Sequence, residues 1–370
     1  MFIEKVEKET LLKPLQIVSG IVERKQTLPI LSNVLIENMG SAMTFTATDL
    51  EIQISTRIDV TIPSAEQGKI TLGAKKLQEV LRVLPEKVFL SMDVKENKAQ
   101  IKSNKSKFSL QTLPHEDFPK LNIQLENAKK INISQKKLKD LLQSVQYAMA
   151  QQDVRYYLNG LLLVIEGAQL KAVATDGHRL AYNTIELEEG GLEKTEIILP
   201  RKAVTELSRL LSDNEDDRVL LEVSTQQAMV NFSGITLVTK LIDGKFPDFE
   251  RVIPKYDQNM MLDRTIILQA LQRVAILSNE KFRGVRFILT EKNLKIVSSN
   301  SEQEEAQEEI ETDFHGNGID IAFNVNYLLE GLNNMAGATV SFAFGDANSS
   351  VLMKTPNAPQ YSYVVMPMRI

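Results

Sequence analysis

Asp176, Gly177, His178 and Arg179 put an acid, an imidazole and a guanidinium into four consecutive positions of the stretch "VATDGHRLAYN". Carboxylate and imidazole side by side could pass a proton or bind a divalent cation, provided a third group joined them. Asp49, in "TFTATDLEIQIS", is the candidate third group, and one reading is therefore a metal-dependent nucleic-acid-processing enzyme using Asp49, Asp176 and His178. The competing reading is structural. An aspartate that ends a strand at a turn ties its own backbone with its side chain. The chain has three histidines, and His115 in "LPHEDFP" and His315 in "DFHGNG" lie in unrelated turn contexts. No HExxH, GxxxxGK[ST], GxSxG or GxGxxG is present, so the signatures of the common catalytic classes are missing.

The elements that must position these groups recur. Three amphipathic helices, "LLKPLQIVSGIVERK", "KLKDLLQSVQYAMA" and "IILQALQRVAILS", each open a segment of about 125 residues. Strands follow each one. The first two sets end alike, with Asp49 and Asp176 at matching places, and the third has "LKIVSSNSEQEEAQ" there. Second helices come next, "LGAKKLQEVLRVL", "LPRKAVTELSRLL" and "FNVNYLLEGLNNM", and further strands close on "LPHEDFP", "LIDGKFPDF" and "YVVMPMRI". The pattern predicts an α+β fold of three repeated units, each of two helices and antiparallel strands, with domains at 1–125, 126–257 and 258–370. In that frame Asp49 duplicates Asp176, which favours the turn role over catalysis.

Composition narrows the class. At 370 residues with 43% hydrophobic content, the chain can build two or three cores. Its apolar runs fall far short of the roughly 20 residues that cross a bilayer, and "MFIEKVEKET" has no apolar signal core, so a cytoplasmic protein without membrane contact is expected. With no cysteine, thiol catalysis and thiolate metal sites are out. A formal net charge of -5 argues against binding nucleic acid by bulk positive charge. The charge is uneven, with 17 basic and 15 acidic residues in 1–125, 17 and 20 in 126–257, and 9 and 13 in 258–370.

Five stretches, "QDVRYYLNG", "ATDGHRLA", "FPDFERVIP", "LSNEKFRGVR" and the terminal "YVVMPMRI", occur in an order and spacing that resemble the beta subunits of bacterial DNA polymerase III, the sliding clamps. The similarity spans the whole chain. It departs from the commonest ending of the family, closing on Ile370 where Leu is usual. The resemblance implies the DNA clamp fold and a head-to-tail homodimer, six units in a closed ring around double-stranded DNA. It implies no cofactor, no metal and no catalysis. Partners by resemblance are the polymerase III catalytic subunit, the clamp loader complex, and other polymerases and repair proteins that carry clamp-binding peptides.

Residue by residue, the resemblance walls a partner-peptide groove with Leu158, Thr175, Gly177, His178, Arg179, Leu180, Pro247, Arg251, Val252, Ser350, Val364, Val365, Met366, Pro367, Met368, Arg369 and Ile370. Methionines, valines and leucine suit an adaptable apolar cleft, with His178 and Arg179 as hydrogen-bond donors in its wall. "YVVMPMRI" also reads as a final strand, and a strand end can edge a groove. DNA contacts are expected at Arg24, Lys25, Gln152, Tyr156, Tyr157 and Lys202, although the two tyrosines could equally be packing residues. Further basic residues on or near the helices are Lys13, Lys136, Lys137, Lys139, Arg201 and Arg209. Phosphate contacts of this kind are independent of sequence, which sliding requires. The dimer seam is expected to join Lys76, Lys105, Lys107, Phe108 and Leu110 to Ile276, Leu277, Glu302, Glu304 and Glu305 of a second copy, a positive first unit against a negative third. A clamp paralogue with altered partners fits the same residues.

Overall fold

Alternating burial along the strands and one buried stripe along each helix give the same element order three times over. The computed structural model describes residues 2–23, 28–60 and 67–369. The first repeat runs β1 (Ile3–Glu7), α1 (Lys8–Val18), β2 (Asn33–Asn38), β3 (Ala42–Thr48), β4 (Ile52–Asp59), β5 (Gly68–Gly73), α2 (Ala74–Val83), β6 (Phe89–Lys95), β7 (Lys98–Ser103) and β8 (Ser106–Leu113). The second runs β9 (Lys129–Ser134), α3 (Gln135–Gln146), β10 (Gly160–Gly167), β11 (Gln169–Thr175), β12 (Arg179–Glu186), β13 (Leu192–Pro200), α4 (Arg201–Leu210), β14 (Arg218–Val223), β15 (Gln227–Phe232) and β16 (Ile235–Lys240). The third runs β17 (Asn259–Asp263), α5 (Arg264–Ala275), β18 (Gly284–Thr290), β19 (Asn293–Ser299), β20 (Glu305–Glu311), β21 (Ile319–Asn324), α6 (Val325–Asn334), β22 (Thr339–Ala343), β23 (Val351–Thr355) and β24 (Ala358–Val365).

Strand pairing cuts across this order. One compact body, Met1–Leu138 with Thr205–Leu241, holds a 12-stranded sheet in the order β1-β6-β7-β8-β5-β2-β3-β4-β16-β15-β14-β9. The other, Lys139–Val204 with Ile242–Ile370, holds an eight-stranded sheet, β13-β10-β11-β12-β24-β23-β22-β17, and a four-stranded one, β20-β19-β18-β21. Two pairings therefore join strands of different repeats, β4 with β16 and β12 with β24.

The helices end where local chemistry stops them. Leu11, Leu15 and Val18 form the buried stripe of α1, and Ile267, Leu271 and Val274 that of α5, each such side chain worth about 2 kcal/mol of apolar transfer. The first helix was expected to run on to Lys25 but stops at Val18, where the Ser19 hydroxyl bonds back to the Leu15 carbonyl and a single 3-10 turn takes the chain to Ile21. At the start of α5, Asp263 accepts from the amides of Thr265 and Ile266 at 2.8 and 3.0 Å, an N-cap that satisfies two otherwise unpaired donors.

Candidate functional site

The β11–β12 hairpin sets the site. Thr175 pairs with Leu180, and the four residues between them make the turn. Asp176 Oδ1 accepts from the amides of His178 (2.9 Å) and Arg179 (3.0 Å), while Thr175 Oγ1 accepts from Gly177. The acid is therefore a turn residue. Asp49 does the same for Glu51 and Ile52 in the first repeat, and Asn300 for Glu302 and Glu304 in the third. An amide serves as well as a carboxylate in this role, so no charge is needed. Among the described residues no cluster of three His, Asp or Glu could hold a metal ion.

Gly177 sits at φ +90°, and a Cβ there would come within 2.9 Å of the Arg155 guanidinium. Arg155 is itself fixed by Asp153 Oδ1 and Oδ2 and by the Asp176 carbonyl. Hydrogen bonds from the Arg155 side chain and amide hold the Asp153 carboxyl down at about 2. This arginine, with Tyr157, completes a groove of about 210 Å³ whose other walls are Leu158, Thr175, Gly177, Arg179, Leu180, Pro247, Val252, Val364 and Met366. Beneath it lies an apolar cluster that includes Leu162, Val173, Ile198, Phe246 and Phe249. The volume is below that of a typical small-molecule pocket and suits one or two side chains of an extended chain.

Several expected groove residues face elsewhere. Strand alternation turns Val365 into the core, fully buried, while Val364 looks into the groove. Arg179 walls the groove as expected, but its guanidinium is held by other partners. Its Nε bonds Asp176 Oδ2 at 3.1 Å, its Nη1 bonds Glu330 Oε2 and its Nη2 donates to the Tyr147 carbonyl at 2.8 Å. The guanidinium also lies over the Tyr327 ring, 4.6 Å from its centroid. Burial alone would lower its pKa, yet Tyr363 and Glu330 hold it above the ordinary arginine value. Burial raises Tyr147, Tyr361 and Tyr363 well above the usual phenol range, so this cluster stays neutral around a fixed cation.

His178 lines a separate polar cavity of about 390 Å³ with Gln151, Asp153, Asp176, Arg201, Tyr327 and Glu330, its ring stacked on Tyr327. Arg251 is largely exposed and paired with Asp248 at 2.8 Å. Ser350, Pro367, Met368 and Arg369 are not among the walls of this 210 Å³ cavity; the Ser350 carbonyl accepts from the Tyr256 hydroxyl and the Met368 amide donates to the Ala322 carbonyl. Ile370 lies outside the described residues.

Among the expected DNA contacts, Arg24 and Lys25 also lie outside the described residues. Gln152 and Tyr156 are exposed, Lys202 is half-buried, and Tyr157 is half-buried in the groove wall. Arg209 is not a free cation, because Glu206 Oε2 and the Ile17 carbonyl take its guanidinium. Arg201 donates to the Met149 carbonyl. At the expected seam, Lys76, Lys105, Lys107, Glu302, Glu304 and Glu305 are exposed, Phe108, Leu110 and Leu277 half-buried, and Ile276 is 77% exposed. Sequence reading missed Arg155 as a groove residue, although "QDVRYYLNG" carries it.

A threefold helix-and-strand repeat whose strands pair between repeats, with an apolar groove beside one such pairing, defines a DNA clamp. The family descriptions of the DNA polymerase III beta subunit match in order, the N-terminal domain at residues 1–122, the central domain at 132–248 and the C-terminal domain at 250–369. The chain is 43% identical to the beta sliding clamp of Pseudomonas aeruginosa over 366 residues and 40% identical to that of Escherichia coli, with 99% of each chain covered in both. A crystal structure of the P. aeruginosa DNA polymerase sliding clamp with ligand superposes with a TM-score of 0.94 at 42% identity over 99% of each chain. Another, of the P. aeruginosa clamp bound to griselimycin, does so at 0.93 and 43%, again over 99% of each chain. The chain belongs to the DNA polymerase III beta subunit family, the beta sliding clamps. It is a DNA sliding clamp, a subunit of the replication machinery without catalysis of its own.

Proposed function

We propose that the groove of Leu158, Thr175, Leu180, Val364 and Met366 receives an extended peptide from the replicative polymerase, the clamp loader, and other polymerases and repair proteins. The observation that carries this is the groove itself: it is apolar, it is open, and Met366 stands 41% exposed at its edge. Methionine adapts to different anchors, and an extended segment can add main-chain contacts at a strand end. Fluorescence anisotropy of a clamp-binding peptide tests it. Binding to the full chain and none to a chain lacking residues 366–370 is expected; equal binding to both would refute the assignment.

We further propose three domains, at 1–125, 126–257 and 258–370, and a ring of two chains. The two pairings between repeats share one register, Ile52 opposite Thr239 and Arg179 opposite Val365. By position in the repeat, β20 corresponds to β4 and β12, and β8 to β16 and β24. Among the described residues β20 ends its sheet, and β8 pairs with β5 only through Leu113 and Thr112. Carrying the register over sets Phe108 opposite Ala306 of a second copy and Lys107 diagonal to its Glu305 and Glu309. The exposed Ile276 supports an apolar seam, and the charge imbalance between first and third repeats favours the same pairing. Such a ring would hold duplex DNA by enclosure, with Gln152, Tyr156 and Lys202, and Arg24 and Lys25 by resemblance, contacting the backbone without reading bases.

A further inference from the structure

Where the first repeat meets the second, through β4 and β16, counterparts of several groove walls recur. Leu31, Thr48, Pro119 and Val238 repeat Leu158, Thr175, Pro247 and Val364 in both position and type. The backbone repeats too. The Lys240 amide donates to the Glu51 carbonyl at 2.9 Å, as the Met366 amide does to the His178 carbonyl at 2.8 Å. Ile30, Leu35 and Phe118 cluster beneath, in the places of Tyr157, Leu162 and Phe246.

Other positions differ: Arg155, Gly177, His178, Leu180 and Met366 have Leu28, Leu50, Glu51, Gln53 and Lys240 in their places. Where Gly177 leaves the turn bare, Leu50 adopts φ +78° and places a branched side chain. In the places of His178 and Met366, Glu51 and Lys240 form an ion pair at 3.0 Å. At the apolar floor position of Leu180 stands Gln53, buried, whose side-chain oxygen accepts from the Leu121 amide at 3.0 Å. Gln227 then holds both the Gln124 amide and the Asn122 carbonyl, so the segment after Pro119 is fastened down along the same surface.

We infer that the first repeat carries a latent second site for an extended peptide with apolar anchors, sealed by Leu50, Gln53 and the Glu51–Lys240 pair. The inference rests on the reading of the second-repeat groove as the partner site. The chain then binds one peptide, and these positions, not the underlying fold, decide which repeat binds it. Leu50 shows that the hairpin turn can hold a leucine at this left-handed position, so closing and opening are both a matter of side chains.

The test uses the full chain, a fluorescent clamp-binding peptide, and anisotropy with stoichiometry. A chain lacking residues 366–370 is combined with Leu50→Gly, Glu51→His, Gln53→Leu and Lys240→Met. Recovery of one bound peptide per chain is expected, and a folded variant that binds nothing would overturn the inference. Residual binding by the truncated chain without those four changes would also overturn it, since the first-repeat site would then be open already. In case the fourfold variant does not fold, Gly177→Leu in the otherwise unchanged chain transplants the closure, with an expected loss of at least tenfold in affinity; unchanged affinity would overturn it. Failure of the unaltered full chain to bind the peptide would instead sink the reading of the groove, and the latent site with it.

Discussion

The Met366 amide donates to the His178 carbonyl across 2.8 Å, tying the C-terminal tail to the turn that carries Gly177. This one bond extends the β12–β24 ladder past Arg179 and Val365 and holds the Met366 side chain at the groove, partly in solvent. Met366→Ala keeps the amide. It should leave the melting temperature within about 2 °C, because a partly exposed side chain contributes little to folding, and weaken peptide binding by about 1–2 kcal/mol, roughly five- to thirtyfold, through the lost anchor contact. Calorimetric melting and anisotropy on the same sample separate the two effects.

Arg179 is a structural cation. Its fork joins β12 to α6 through Glu330 and to the end of α3 through the Tyr147 carbonyl. Glycine at position 331 lets the Tyr363 ring approach α6 closely, where a Cβ would come within 2.3 Å of it. Arg179→Ala should therefore cost about 2–4 kcal/mol in urea unfolding, since a buried carbonyl and Asp176 lose their donors. Arg179→Lys keeps the charge but not the fork and should recover less than half of that loss.

The seam makes a graded prediction for assembly. Phe108→Ala should raise the dimer dissociation constant about a hundredfold, as expected for losing a buried aromatic, whereas Lys107→Ala should change it less than about fivefold as a rim charge. Sedimentation equilibrium between nanomolar and micromolar protein measures both. A larger effect for Lys107 than for Phe108 would contradict the proposed register.

Asp153 fixes Arg155, and the arginine holds its carboxyl down at about 2. A carboxylate with a lowered folded pKa keeps its partner above that value and loses it only as pH falls through it. The arginine clamp should thus persist from pH 8 to pH 4, with no change in peptide affinity from this pair. Asp153→Asn should lower affinity about threefold at every pH in that window, measured by anisotropy in constant ionic strength.

The three repeats were legible because amphipathic stripes such as Leu138, Leu142 and Val145 announce helices, and because Asp49 and Asp176 end matched strands. Helix ends came out within a few residues, except at α1, where Ser19 turned the chain early. Pairing between repeats was not legible. Nothing local in Ile52 or Thr239 says that they will sit opposite each other. Most groove walls were named from resemblance, yet Arg155 was missed, because it enters from the segment before a 3-10 turn at Tyr156–Asn159 and not from a strand end. Arg179 misled for a similar reason, its acceptor Glu330 lying 151 residues away.

The proposed ring would stay on DNA by enclosing it. The direct measurement is the lifetime of the protein, placed by a bacterial clamp loader, on a nicked circular duplex before and after a single cut that linearises it. Retention on the circle and rapid loss from the ends after cutting are expected. Equal lifetimes on circle and linear duplex would contradict enclosure, because binding by contact alone is blind to topology.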